Sequence, residues 1–246
     1  MKKISTVAVC GVQPRIGTTT QALQIVGYLQ MMGYSAAYIE LSRHGYIENM
    51  RKLYRDISIS GSCVSYGQLD MYRSVVDVRS EEDYDFLIKD YGAMDEADFN
   101  KVSFLEQDIQ IICGGVKPNE IFKVNDILKL SEYYPVRFIF SFVPHDQKDG
   151  IIQLMTNRAD KTFFANYNAD PFVYDSTMNK SYRQILGKYM DGTPAMSGSK
   201  SKHMILKNIK QLFRGQLKII FEKRIVKLLL LIIYTVVILV VTIKIS

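Results

Sequence analysis

The stretch AVCGVQPRIGTTTQALQIVGYL, Ala8 to Leu29, constrains the fold more than any other part of this chain. A short apolar run reads as a strand. It passes through a turn bounded by Gly11 and Gly17 into a threonine-rich helix start. Ala22, Ile25, Val26, Leu29 and Met32 then recur on one helical face. Five further runs read as strands: SAAYIEL, DYDFLIKDYG, IQIICGG, VRFIFSFV and KTFFANY. Helical patterns separate most of them, and Asn119 to Glu132 and Gly150 to Arg158 also read as helices. Strands that alternate with helices predict an α/β fold, a mainly parallel sheet with helices on both faces. Residues 46–84 resist this reading, and only a helix near Ile47 to Tyr54 is expected there. No internal repeat is evident.

The net charge of +6 suggests an anionic partner until it is divided along the chain. From Ser199 onward there are ten Lys or Arg and one acid, a balance of +9; the first 198 residues hold 21 basic and 24 acidic residues, a balance of −3. The basicity belongs to the tail, which argues against a nucleic-acid-binding domain and for a charged approach to a membrane. Leu228 to Ile243 is free of charge, and residues 225–244 give the ~20 positions that cross a bilayer core. Before it, Leu206, Ile209, Phe213, Leu217 and Ile220 fall on one helix face, with lysines and Arg214 off that face. Such a helix can lie at the interface with its cations on anionic headgroups; packing on the domain or a partner is the alternative. Cytoplasmic segments carry the Lys and Arg excess. The expected organisation is an α/β domain over 1–190, a flexible linker over 191–203, a basic juxtamembrane helix over 204–224 and a transmembrane helix over 225–244. The domain is then cytoplasmic, on a single-pass C-terminal anchor. The opening MKKISTVAVCGV is too short in its apolar run for a signal peptide and is read as the first strand.

Ligands in such sheets bind beyond the carboxyl ends of the strands. Three stretches fall there: Gly11 to Thr20, Glu40 to Ser42, and Asp90 to Gly92. The first has the layout of a phosphate-binding loop. In such a loop glycines admit backbone N–H groups to the phosphates, a lysine neutralises them, and the following hydroxyl holds Mg²⁺. The candidate phosphate contacts are Gly11, Gln13, Arg15, Ile16, Gly17, Thr18, Thr19 and Thr20. Thr18 stands where the lysine belongs.

This stretch resembles the deviant phosphate loop of the ParA/MinD family of P-loop ATPases, roughly K-G-G-x-G-K-T-T. Gly17, Thr19 and Thr20 match. Thr18 replaces the Walker lysine, Gln13 the signature lysine, and Pro14 and Arg15 two glycines. MMGYSAAYIEL and YDFLIKDYG are similar to the family's next two strands, so the likeness is close over about the first 120 residues and topological over the next 50. The resemblance implies a P-loop NTPase-like fold and ATP or ADP with Mg²⁺ as cofactor. It places Thr19, Asp90 and Glu40 around the metal, Asp90 as the candidate catalytic carboxylate, and Ser42 where the family has a water-organising Asp. TadZ/CpaE-like branches also lack the Walker lysine. Phosphoryl transfer is almost wholly positioning and charge stabilisation, so losing two ammonium groups is expected to cost about 10³–10⁵ in rate.

Two readings follow. One is a degenerate, membrane-tethered positioning or scaffold protein with an unidentified protein partner, binding nucleotide weakly or not at all. The other is a slow or partner-activated ATPase using Arg15 or a partner's cation. A homodimer is compatible with either, although the family's loop-lysine mode of dimerisation is not. Cys10, Cys63 and Cys113 lack metal or redox spacing and are read as small buried hydrophobes. His44, His145 and His203 are read as surface residues, SEEDYDF and GAMDEADF as solvated acidic loops, and Asn166 to Asp175 as an ordinary loop. Dispersed tyrosines do not match a bacterial tyrosine-kinase tail.

Overall fold

The computed structural model describes residues 4–78 and 84–190. The linker, juxtamembrane helix and transmembrane helix expected over 191–244 lie outside the described residues. Among the described residues no helix is long and apolar enough to cross a membrane.

The first strand, β1 (Ser5–Gly11), leads through the loop into α1 (Thr18–Met31); β2 (Ala36–Glu40) and α2 (Tyr46–Leu53) follow. Three short strands come next, β3 (Ile57–Ser60), β4 (Cys63–Tyr66) and β5 (Leu69–Tyr72). Then come β6 (Phe86–Ala93), α3 (Lys101–Leu105), β7 (Ile109–Gly114), α4 (Pro118–Leu128) and β8 (Arg137–Ser141). The described chain closes with α5 (Lys148–Met155), β9 (Thr162–Ala165) and α6 (Asn179–Leu186). All six expected strands are present. The expected helix over Asn119 to Glu132 stops at Leu128, and a separate turn at Ser131–Tyr133 follows.

The strands form one nine-stranded sheet in the order β3-β4-β5-β2-β6-β1-β7-β8-β9. From β5 to β9 every neighbouring pair is parallel. Only β3–β4 and β4–β5 are antiparallel. The central strands are buried almost throughout: Val7, Ala8, Val9 and Cys10 in β1, and Ile109, Ile111, Ile112 and Cys113 in β7. Such near-continuous apolar runs are what a parallel sheet covered on both faces requires. The three cysteines are free and buried.

Helix α1 carries two buried glutamines among its apolar residues. Gln24 donates to the carbonyls of Pro171 and Val173 and accepts from the Asp175 N–H, each within 2.9 Å. Gln21 accepts from the Tyr182 hydroxyl at 2.9 Å. These bonds satisfy polar groups that would otherwise be costly to bury, and they fasten the segment after β9 onto α1. With the sheet parallel, the carboxyl ends of β1, β2, β6, β7 and β8 open onto one edge.

Candidate functional site

The structure brings the loop, Glu40 and Asp90 to that shared edge. Gly17 adopts a left-handed conformation, φ 92°, at the start of α1, a conformation that glycine alone takes without strain. Gly11 is required by close approach instead. A Cβ there would lie 2.5 Å from Thr18 Oγ1 and 2.7 Å from Ile16 Cγ2. The Thr18 side chain is therefore folded back against Gly11, and both Thr18 and Ile16 are buried. Arg15 is exposed and also holds a positive φ of 64°.

Asp90 is fully buried in β6. The pairing of β1 with β6 slips between Val9 and Gly11, so that Val9 opposes Asp90 while Gly11 opposes Ala93. This bulge has Gly92 at φ 71° and re-aims the strand at Asp90. Thr19 Oγ1 donates to Asp90 Oδ2 at 2.6 Å, the Tyr38 hydroxyl donates to the same oxygen at 2.9 Å, and the Gly92 N–H donates to Oδ1 at 3.0 Å. Burial raises the Asp90 pKa above the ordinary carboxylate value, and those three bonds together with nearby His44 oppose the rise. The expected Mg²⁺ partners Thr19 and Asp90 are thus in direct contact, and a metal bound here would meet both.

Glu40 is occupied elsewhere. Its two carboxylate oxygens accept the backbone N–H groups of Tyr46 and Ile47, the first residues of α2. Glu40 caps a helix in this structure. Among the described residues no group of three or more His, Cys, Asp or Glu is arranged to hold a metal ion. Gln13 is likewise engaged. Its Nε2 donates to Glu120 Oε1 at 2.9 Å, and its Oε1 accepts from Asn119 Nδ2 at 2.7 Å.

Five participants left little or no trace in the sequence. Tyr38 carried no signal beyond a strand position. His44, read as a surface residue, is half-exposed and pairs with Glu96 at 2.7 Å; beside it Arg43 pairs with Asp98 at 3.4 Å. These two pairs join the loop after β2 to the acid-rich loop after β6. Glu120 was legible only as an N-terminal residue of a helix that opens on Pro118. Its contact with Gln13 spans 107 positions and leaves no local trace. Ser141 ends β8, and its hydroxyl is the one buried side-chain N or O among the described residues without a hydrogen-bond partner. It faces the loop: a Cβ on Gly17 would lie 3.4 Å from it.

The chain is an α/β protein with a strand–loop–helix turn at the carboxyl edge of a mainly parallel sheet. Solved structures narrow this further. The MinD cell division protein of Aquifex aeolicus superposes with a TM-score of 0.57 at 13% identity, covering 78% of this chain and 100% of that one. The same organism's MinC:MinD complex gives 0.56 at 11%, covering 79% and 99%. A plasmid partition protein of Borrelia burgdorferi B31, bound to AMPPNP, gives 0.55 at 15%, covering 77% and 99%. The chain has the fold of the MinD/ParA ATPases. Its sequence matches no protein-family model and no curated protein.

Proposed function

We propose that this chain is a membrane-tethered positioning or scaffold component of a membrane-associated assembly. In this reading its MinD/ParA-like domain binds nucleotide weakly or not at all and does not hydrolyse it efficiently. The observation that carries the reading is the fate of the two lysine positions. Thr18 is neutral, buried and folded against Gly11, and Gln13 is neutral and bonded to Glu120 and Asn119. No ammonium group from either position faces the place a polyphosphate would occupy. Pro14 withholds one backbone donor as well. The α1 N-terminus and the threonines supply only neutral donors, and these bind anions less strongly than charge-assisted ones.

The tail supports the tether. An uncharged run from Leu228 to Ile243, preceded by Lys207, Lys210, Arg214, Lys218, Lys223 and Arg224, has the composition of a membrane anchor with its basic side toward the cytoplasm and anionic lipid. The MinC:MinD complex is a precedent, on the same fold, for a protein partner. The second reading, a slow or partner-activated ATPase, is favoured by the contact between Thr19 and Asp90, which keeps the hydroxyl and carboxylate of an Mg²⁺ site together.

Titration calorimetry of the full chain in lipid nanodiscs with ATP and Mg²⁺ tests the first reading. The expected dissociation constant is weaker than about 1 mM. Micromolar binding overturns it. Protease added to sealed inside-out vesicles is expected to digest the domain; protection overturns the orientation.

A further inference from the structure

Gln13 is tied to α4 by contacts that use its whole side chain. Its amide nitrogen donates to Glu120 and its amide oxygen accepts from Asn119. Glu120 is buried, and its other oxygen accepts the Lys117 N–H at 3.0 Å, capping α4. The carboxylate sits against bare backbone: a Cβ on Gly115 would lie 2.1 Å from Glu120 Oε2 and 3.4 Å from Ile16 Cδ1. A buried carboxyl group is thus built in beside the loop and bonded to the loop side chain that the family resemblance would make a cation.

We infer that Glu120 is an internal competitor of polyphosphate for position 13. A cation placed there meets a buried carboxylate already within hydrogen-bond reach. That contact is intramolecular, so its effective concentration exceeds that of a ligand in solution. It is also sheltered from solvent, where a charge pair is stronger than in water. Restoring a lysine at position 13 therefore does not restore a phosphate contact while Glu120 keeps its carboxyl group. This inference rests on the proposed loss of tight nucleotide binding.

The test compares the full chain, Gln13→Lys, Glu120→Gln and the double variant in lipid nanodiscs. ATP·Mg²⁺ affinity is measured by calorimetry and domain stability by denaturant titration. Glu120→Gln keeps an oxygen for the Lys117 N–H, so the cap on α4 survives. Gln13→Lys is expected to leave ATP affinity unchanged within about twofold and to be more stable at neutral pH than the double variant. The double variant is expected to bind ATP about tenfold more tightly than Gln13→Lys, the size of one charge-assisted hydrogen bond. Equal affinity of Gln13→Lys and the double variant overturns the inference. So does an absence of extra stability in Gln13→Lys, a readout that needs no nucleotide. Failure of the underlying reading shows separately, as micromolar ATP binding by the unaltered chain.

Discussion

Thr19 Oγ1 and Asp90 Oδ2 lie 2.6 Å apart, joining the first turn of α1 to the middle of the sheet across 71 positions of sequence. With Tyr38 and Gly92 also donating, the carboxylate is satisfied from within the chain. Its burial still disfavours the charged form. The raised folded pKa means that the native state holds a proton where the unfolded chain has released it. Wild-type stability therefore falls as pH rises from about 3.9 through the folded pKa. Asp90→Asn removes that dependence. Its stability relative to wild type is expected to increase across this window and level off above it, as read from denaturant titrations between pH 4 and 7.

Glu40 answers to α2. Both of its oxygens receive backbone N–H groups at the helix start, and Gly45 before the helix has no side chain to cap it. Glu40→Ala is expected to cost about 1–2 kcal/mol, the range of a lost N-terminal cap. Denaturation with and without Mg²⁺ checks this. An equal loss in both conditions fits the cap, and a loss confined to Mg²⁺ marks Glu40 as a metal ligand.

The unpaired Ser141 hydroxyl facing Gly17 makes the opposite prediction. A buried hydroxyl without a partner carries its desolvation cost uncompensated. Ser141→Ala is expected to be neutral or to stabilise by up to about 1 kcal/mol. A shift of the denaturation midpoint to lower denaturant contradicts this and shows that the hydroxyl is engaged.

The parallel sheet was legible because its strands are apolar runs separated by helical periodicity. Val7 to Cys10 and Ile109 to Cys113 could be buried only between two layers. The antiparallel extension was not read, since β3 runs Ile-Ser-Ile-Ser and is mostly exposed, without a clear inward face. A signal was nonetheless present. Gly61-Ser62 and Gly67-Gln68 are two-residue loops between paired strands, and both glycines have positive φ, as tight hairpins require. At the site, Gly11, Gly17, Thr18 and Thr19 were legible because strand-loop-helix geometry is local, and Asp90 because it lies toward the end of an apolar strand run. The Gln13–Glu120 contact, the pairs His44–Glu96 and Arg43–Asp98, and the cap made by Glu40 join separate loops or helix ends. Their partners are fixed only once the sheet has ordered its edge.

Under the proposed function the loop, without cations at positions 13 and 18, does not support efficient phosphoryl transfer. Phosphate release from ATP·Mg²⁺ by the full chain in lipid nanodiscs, beside Asp90→Ala, tests it most directly. The two are expected to release phosphate at the same background rate. Turnover by the unaltered chain that Asp90→Ala abolishes would contradict it.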